Sequence, residues 1–408
     1  MKEREEVELL NFDVKHFTKE ALISAAIQSA FDLGLPVAVW RLPNQNEINL
    51  IVSFTALQQL QRVEFPTLPK GFLIAPFEKD KKGNQFIKAD FHLSFDFDEV
   101  IEGSDISSDE TATGKAFKTQ LIERLSNPVE KPEYFSLEKA VDTSVDYKAL
   151  VQKSIDYIKS GVFEKVVPAR AAQFQLPQHF DPVSLFMNIC QQYTNAFAYF
   201  VSTPEIGTWM GATPELLLSK QQNIFKTVAL AGTKRFDADT PIEETAWLQK
   251  EIEEQALVSR YIISCFKKIR LREFEERGPR TSKAGNLLHL KTTYEVDVEA
   301  TNFPELPTVM LELLHPTSAV AGMPKTETLQ FLSEYEGLDR AYYSGFLGPV
   351  NLDEQTNIFV NLRCMQVDKH TTTLYAGAGV TEDSVPEKEY LETEMKFNTL
   401  RNLIYPAS

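Results

Sequence analysis

Two pairs of acidic residues lie far apart in the chain and share one spacing. Glu251 and Glu254 are three residues apart, and so are Glu389 and Glu392. Each pair falls in a segment with helical apolar periodicity, so both carboxylates of a pair lie on one helix face. Two such faces brought together would form a cage of carboxylate oxygens suited to a hard divalent cation such as Mg²⁺. Because the chain has 58 acidic residues, a solvated helix face remains the alternative at each pair.

Three other charged residues lie at strand boundaries, where burial would change their chemistry. Lys165 begins the segment KVVPAR, and desolvation there would lower its pKa towards that of a general base. Glu215 follows a proline in GATPELL, where apolar neighbours would raise its pKa towards that of a general acid. Arg363 lies in the apolar segment FVNLRCM, and its burial is costly unless it meets an anion. Taken singly, the first two are more often a strand-edge lysine and a surface glutamate.

The segment YAGAGV, from Tyr375 to Val380, places one glycine on each side of Ala378. Glycines here would let backbone N–H groups approach an anion such as a carboxylate, and a tight turn is an equal alternative. His289 and His315 are isolated histidines, a type of residue that is more often a hydrogen-bonding part of the core than a ligand.

Composition restricts the class of protein. A net charge of −16 over 408 residues argues against nucleic acid or an anionic membrane as the main partner. The chain opens with charged residues and has no apolar run of membrane-spanning length, so we expect neither a signal peptide nor a membrane span. Cys190, Cys265 and Cys364 are scattered among apolar neighbours, which predicts buried reduced thiols in a cytoplasmic protein.

The apolar patterns alternate between strand and helix periods along the whole chain. Strands joined mostly as hairpins, with helices between the groups, predict an α+β protein with antiparallel sheet. A surface excursion is expected over 102–132, polar and acidic at first and then helical in FKTQLIERL. A long acidic helix is expected from 243 to about 276, and one strand over 358–367. A last helix is expected from Pro386 to about Ile404.

The order of the short motifs is more specific than any one of them. They run KVVPAR, GATPELL, LAGT, KEIEEQALV, LLHLKT, LHPTSAVAGMPK, the segment 340–348, RCM, YAGAGV and EKEYLETEMK. In this order the chain resembles the chorismate-utilising enzymes over about residues 146 to 403, whereas residues 1–140 match only loosely. The resemblance implies one domain over 1–408: a large antiparallel sandwich-like core with helices packed outside.

The resemblance also implies a metal site. Glu254 and Glu392 would ligate Mg²⁺, and Glu251 and Glu389 would complete the carboxylate ring, partly through water. The ion would lie beside the carboxylate of a bound chorismate.

The same resemblance implies how the substrate is held. Gly377, Ala378 and Gly379 would cradle the ring carboxylate, with help from Lys396 and with Tyr375 in the same motif. In the rest of the pocket, Arg363 would clamp the enolpyruvyl carboxylate, Glu215 would face the ring C4 hydroxyl, and Gly232 and Thr233 of LAGT would line the wall.

Members of the family differ in the nucleophile that they add to C2 of chorismate. Members that add ammonia usually carry glutamine where this chain has Lys165, and a lysine there suits the activation of water. Members that also eliminate pyruvate tend to have threonine in place of Ala319 and phenylalanine in place of His315. These positions favour an isochorismate synthase. In one departure, Gln255 follows the metal glutamate where many relatives have histidine.

Several alternatives remain open. A salicylate synthase would form isochorismate and then eliminate pyruvate, and an anthranilate or aminodeoxychorismate synthase component would need a glutaminase partner. A relative that binds chorismate without turnover belongs to another class, and a phosphoryl-transfer enzyme is disfavoured because no phosphate loop is present. We expect a monomer without a glutaminase subunit.

Overall fold

The computed structural model describes residues 17–78, 83–96, 111–128, 130–138, 141, 144–236, 241–284 and 287–405. Within these ranges the strands form an eight-stranded sheet, a nine-stranded sheet and a two-stranded ribbon. Neighbouring strands run antiparallel in all three. No helix in the described part of the chain is long and apolar enough to span a bilayer.

The eight-stranded sheet joins strands from both ends of the chain. In spatial order it contains β6 (Phe91–Asp96), β2 (Glu47–Val52), β1 (Val37–Arg41), β9 (Phe197–Thr203), β10 (Gly207–Thr213), β18 (Cys364–Val367), β19 (Thr371–Gly377) and β8 (Ala169–Gln175).

The nine-stranded sheet also mixes early and late strands. In spatial order it contains β13 (Glu275–Ala284), β14 (Leu287–Asp297), β12 (Ile224–Arg235), β11 (Leu216–Gln221), β17 (Gln355–Val360), β16 (Phe346–Val350), β4 (Gly71–Ala75), β5 (Asn84–Lys88) and β3 (Gln58–Leu60). The ribbon pairs β15 (Gly322–Met323) with β7 (Lys165–Val166).

Eight α-helices lie in the described ranges. They are α1 (Lys19–Asp32), α2 (Ala112–Ser126), α3 (Tyr147–Lys159), α4 (Pro182–Gln192), α5 (Gln249–Lys268), α6 (Leu306–Leu314), α7 (Lys325–Tyr335) and α8 (Pro386–Ile404). Short-range signals set several of their starts. The Asp146 carboxylate accepts the Ala149 amide at the head of α3, and a proline occupies the first turn of α4 and of α8.

Three clusters of buried apolar side chains hold the layers together. Trp40 and Trp209 of the eight-stranded sheet meet Phe72 and Leu347 of the nine-stranded sheet in the central cluster. Helices α1, α2, α4 and α8 cover the outer face of the first sheet, and α3, α5, α6 and α7 cover that of the second. The structure therefore confirms an α+β fold with an antiparallel sandwich-like core and helices outside.

Three predicted elements need correction. Helix α5 begins at Gln249 instead of 243 and ends at Lys268; the chain then turns at Arg270, which has φ of +59°. The charged residues that follow form β13, an edge strand, where polar side chains remain solvated. In the expected excursion over 102–132, residues 102–110 lie outside the described part, and α2 buries Phe117 and Leu121 in the core.

The predicted strand over 358–367 is two strands that belong to different sheets. Strand β17 lies in the nine-stranded sheet, and β18 lies in the eight-stranded sheet. The chain crosses between them at Arg363, whose φ of +47° breaks the extended conformation. This crossing places a charged residue at the edge where the two layers meet.

Candidate active site

Three distant motifs become neighbours around the short strand β7. Val166 pairs with Gly322 of β15, and it forms an isolated antiparallel bridge with Val380. The Val380 amide donates to the Val166 carbonyl over 2.8 Å. The KVVPAR, AVAGMP and YAGAGV segments predicted to act together are therefore adjacent.

Lys165 projects from this junction to one of the predicted metal ligands. Its Nζ lies 2.9 Å from Glu254 Oε1, and the lysine side chain is 7% exposed against 37% for the glutamate. Gly379 makes room for it, because a Cβ at that position would lie 2.9 Å from Lys165 Cε. The glycine therefore leaves room for the lysine side chain, and a larger residue at this position would displace it.

Lys396 links α8 to the same junction. Its Nζ donates to the Gly377 carbonyl over 2.6 Å and lies 2.7 Å from Glu392 Oε1, one helical turn away. The structure thus brings Lys396 to the glycine motif, as the sequence predicts, and pairs it with a predicted metal ligand.

Glu215 lies in the same electrostatic environment. Burial raises its pKa from 4.5 to about 7, an effect that the positive charges of Lys165 and Lys396 oppose and the negative charge of Glu254 reinforces. Its carbonyl accepts the Val360 amide over 2.9 Å, which fixes the bend after β10. The direction expected from sequence, a raised pKa, is the one that the structure gives.

Arg363 is a partly buried cation at the crossing between the sheets. Its Nη1 donates to Thr399 Oγ1 over 3.1 Å, and within the described ranges no carboxylate lies within ion-pair distance. Burial lowers its pKa, while Tyr343, Glu392 and Tyr193 act in the opposite direction. A guanidinium in this setting is suited to an incoming anion.

The four predicted metal ligands stand on two helices that border this region. Glu251 and Glu254 lie on α5, and Glu389 and Glu392 lie on α8. Glu251 Oε2 accepts the Leu248 amide over 2.9 Å, which caps the start of α5, and Glu389 is buried. Among the described residues, no three histidine, cysteine, aspartate or glutamate side chains are grouped closely enough to hold a metal.

The chemistry of these donors nevertheless fits a hard cation. Glu254 and Glu392 both present partly exposed carboxylate oxygens, and each is paired with a lysine instead of being buried in an apolar core. Oxygen ligands and open positions are what Mg²⁺ requires. The Mg²⁺ site therefore stays a prediction whose residues are suitable.

The glycine motif differs in part from the predicted cradle. The Ala378 amide is already occupied, since it donates to the Tyr147 hydroxyl over 3.2 Å and to the Pro168 carbonyl over 3.3 Å. Gly377 is held by sheet pairing with Ala169. Gly379 is partly exposed, so it is the position of the three that is open to a ligand.

Two predicted substrate contacts are core residues. The His315 side chain is buried, with Nε2 3.3 Å from the Phe77 carbonyl and its ring edge-on to Phe346. Tyr375 is buried between the rings of Trp209 and Tyr343. Both rings pack within the core, and their assignment to substrate binding stays a prediction.

The remaining predicted positions lie around the junction. Ala319 is partly exposed and lies just before β15, the partner strand of Lys165. Gly232 has φ of +68°, and its carbonyl is 2.9 Å from His289 Nδ1. The Thr233 side chain is not among those described.

The sequence did not single out a buried ion pair beneath the site. Arg340 Nε and Nη2 each lie 2.6 Å from a carboxylate oxygen of Glu336. Arg340 also donates to the Val320 and Val167 carbonyls over 2.9 and 2.7 Å, and Glu336 accepts the Ala169 amide over 2.6 Å. These bonds join the chain just after β7 to the chain just before β15, the partner strand of Lys165, so the pair positions Lys165. An arginine four residues after a glutamate was the available signal.

The similarity to known proteins extends over the segment that contains these motifs. Residues 93–405 match the family model described as chorismate binding enzyme. The chain is 27% identical over 283 residues to the vibriobactin-specific isochorismate synthase of Vibrio cholerae. That alignment covers 68% of this chain and 71% of that protein. It is 26% identical over 264 residues to anthranilate synthase component 1 of Saccharolobus solfataricus, which covers 63% and 62% respectively.

A solved structure shares the fold. The menaquinone-specific isochorismate synthase MenF of Escherichia coli aligns with a TM-score of 0.73 over 95% of this chain and 92% of that one, at 20% identity. The resemblance predicted from motif order is confirmed, because the family model spans both the motifs and most of the chain. The chain belongs to the chorismate binding enzyme family.

Proposed function

We propose that this enzyme is a Mg²⁺-dependent isochorismate synthase, which converts chorismate to isochorismate by adding water at C2 and losing the C4 hydroxyl. The observation that carries the proposal is a buried lysine that acts on a glutamate of raised pKa: burial raises the pKa of Glu215, and the charge of Lys165 opposes that rise. An acid and a base held close together are what an exchange of hydroxyl groups across a ring needs. The name of the Vibrio cholerae relative supports the same reaction.

Each residue has a defined part in this mechanism. Lys165, in its neutral form, takes a proton from the water that attacks C2. Glu215, in its protonated form, gives a proton to the departing C4 hydroxyl as the two ring double bonds shift. One water enters and one leaves, and the proton gained by Lys165 balances the one lost by Glu215, so the reaction is a reversible isomerisation.

The charged groups around this pair would bind and orient the substrate. Arg363 lacks a carboxylate partner within the described ranges and would bind the enolpyruvyl carboxylate. Lys396 and the open position at Gly379 would hold the ring carboxylate. Mg²⁺ held by Glu254 and Glu392 would neutralise that carboxylate when bound.

Product analysis tests the proposal. The protein is incubated with chorismate and Mg²⁺, products are separated by liquid chromatography, and pyruvate is assayed in parallel. Isochorismate without pyruvate is expected. Salicylate with stoichiometric pyruvate would overturn the choice within the family, and no turnover would favour a silent relative that only binds chorismate.

Two substitutions test the assigned roles. Lys165→Ala and Glu215→Ala should each lower turnover by about 10²-fold or more. Lys226→Ala is the matched control, because Lys226 forms an ion pair with Glu295 on strands β12 and β14. Near-normal turnover in either site variant would remove that residue from the mechanism.

The similarity to anthranilate synthase component 1 supports a second candidate, addition of ammonia at C2. Lys165 argues against it, because a lysine suits the activation of water. A parallel incubation with ammonium and no glutaminase discriminates between the two. An amino product formed in preference to isochorismate would establish the second candidate.

A further inference from the structure

Both glutamates predicted to be direct metal ligands are already bound to lysines. Lys165 Nζ lies 2.9 Å from Glu254 Oε1, and Lys396 Nζ lies 2.7 Å from Glu392 Oε1. The two pairs join different elements, since one links β7 to α5 and the other lies within α8. In both, the lysine is less exposed than its glutamate, at 7% against 37% and 26% against 44%.

A divalent cation would compete with these lysines. Mg²⁺ binds carboxylate oxygens at roughly 2.0–2.1 Å, which is closer than an ammonium group approaches. An ammonium held on the same carboxylate would then be only a few ångströms from the metal, where repulsion between the two positive charges is large. Binding of the cation to the carboxylate therefore weakens the ion pair between that carboxylate and the lysine.

The displaced lysines would remain in the site. Lys396 keeps its 2.6 Å bond to the Gly377 carbonyl, and Lys165 is buried, with its Cε in the space that a side chain at Gly379 would fill. Both lie close enough to Glu215 to lower its pKa. Once separated from their glutamates, both amines remain beside Glu215, where the proposed mechanism places the base and a contact to the ring carboxylate.

We propose that Lys165 and Lys396 are internal counter-ions that hold the two metal-binding glutamates until a divalent cation displaces them, so that cation binding releases both lysines to the substrate. This rests on the proposed function, which supplies the cation and a substrate with two carboxylates. The two ion pairs are together neutral, and the cation adds the two positive charges that such a substrate would balance. The cation thereby makes the acid–base and binding residues available together.

Cation affinity in the absence of chorismate tests the proposal. Binding of Mg²⁺ and of Mn²⁺ is measured by titration calorimetry on the wild-type protein, Lys165→Met and Lys396→Met. Each substitution removes the competitor and should tighten cation binding by about 1.5- to fivefold, the range for a partly exposed ion pair. If Lys165→Met does not fold because that lysine is buried, Lys396→Met, at a more exposed lysine, still tests the proposal.

Two controls separate competition from a general change in charge. Lys226→Met removes an ion pair of similar exposure that involves no predicted ligand, and its affinity should equal that of the wild type. Arg363→Met removes a positive charge near Glu392 that holds no ligand carboxylate in a hydrogen bond. Tightening in Arg363→Met equal to that in the lysine variants would overturn the proposal, as would unchanged or weaker affinity in both lysine variants.

A structure with Mn²⁺ bound gives an independent measurement. The 2.9 Å and 2.7 Å lysine–glutamate distances should both lengthen beyond 4 Å. Retention of both pairs beside the bound ion would overturn the proposal. The product assay distinguishes failure of this inference from failure of the proposed function. If isochorismate forms but both ion pairs persist with the cation bound, only this inference is wrong. If the wild-type protein binds neither cation, the proposed metal site is wrong as well.

Discussion

Two arginines near the site show how a buried positive charge can serve either the fold or a ligand. Arg340 is fully buried, forms a two-point ion pair with Glu336, and donates to two backbone carbonyls. Arg363 has a single hydrogen bond to the Thr399 hydroxyl and no carboxylate partner in the described part of the chain. The first has its hydrogen-bonding capacity filled by the protein, and the second does not.

The pKa values move in opposite directions for that reason. Burial opposes the charge of Arg340, but the Glu336 carboxylate more than offsets it and raises the pKa. Burial dominates at Arg363 and lowers the pKa. Loss of one partner of the buried pair would therefore be costly around Lys165, whereas a bound anion would favour the charge of Arg363.

The largest effect is expected from Arg340→Met. Removal of one partner leaves the Glu336 carboxylate buried and unpaired, so the free energy of unfolding should fall by about 3–5 kcal/mol. Urea denaturation measures it. The double variant Arg340→Met/Glu336→Gln should recover part of the loss, and a loss below about 1 kcal/mol in the single variant would contradict a structural role for the pair.

Arg363→Met should show the reverse pattern. The kcat/KM for chorismate should fall by about 10²–10³-fold, because the substrate loses a charge-assisted hydrogen bond, and the free energy of unfolding should stay constant or rise. Steady-state kinetics and urea denaturation on one preparation give both values. A loss of stability as large as that of Arg340→Met would remove the distinction between the two arginines.

The sequence predicted the charged residues of the site better than the buried ion pair beneath it. Arg363, Lys165 and Glu215 stand out because each is a charged residue at the boundary of an apolar strand. Arg340 and Glu336 do not, since an arginine four residues after a glutamate is also typical of an exposed helix. Burial of that pair depends on packing between elements far apart in sequence.

Two features of the backbone were also not predicted from the sequence. Periodicity over 358–367 indicated a single strand, and only tertiary pairing shows that the chain changes sheets at Arg363. Likewise, a glycine motif indicates that amides can approach an anion, but not that Tyr147 already uses the Ala378 amide. Local patterns specify which residues can bind, and long-range contacts decide which of them are free to do so.

Glu215 is an acidic group of the same site whose pKa burial also shifts. Its pKa of about 7 means that it is protonated below neutral pH and loses its proton above it. If protonated Glu215 is the general acid and neutral Lys165 the base, turnover should rise with pH, level off and then fall, because low pH protonates the base and high pH deprotonates the acid. A pH–rate profile measures this; a rate that keeps rising to pH 9 would exclude Glu215 as the acid.

Stability provides a second measurement on the same carboxyl group. Because its pKa is raised from 4.5 to about 7, the folded protein binds more protons than the unfolded chain between these values, and its stability falls as pH rises through that window. Glu215→Gln removes the fall, so its free energy of unfolding at pH 8 should exceed that of the wild type by about 1–3 kcal/mol. Equal stability at pH 8 would show that the folded protein does not raise this pKa.

The smallest effect is expected from His315→Phe, which tests whether a satisfied polar group near a specificity motif still influences the reaction. Phenylalanine keeps the ring packed on Phe346 and loses the bond to the Phe77 carbonyl. The free energy of unfolding should therefore fall by about 1 kcal/mol, and the product should remain isochorismate. Ala319→Thr, at a partly exposed position of the same loop, is the matched variant that can reach the site. Pyruvate release by His315→Phe, measured beside Ala319→Thr, would show that the His315 ring influences the reaction although it is buried. A hydrogen-bonded core residue could then no longer be assigned a structural role alone.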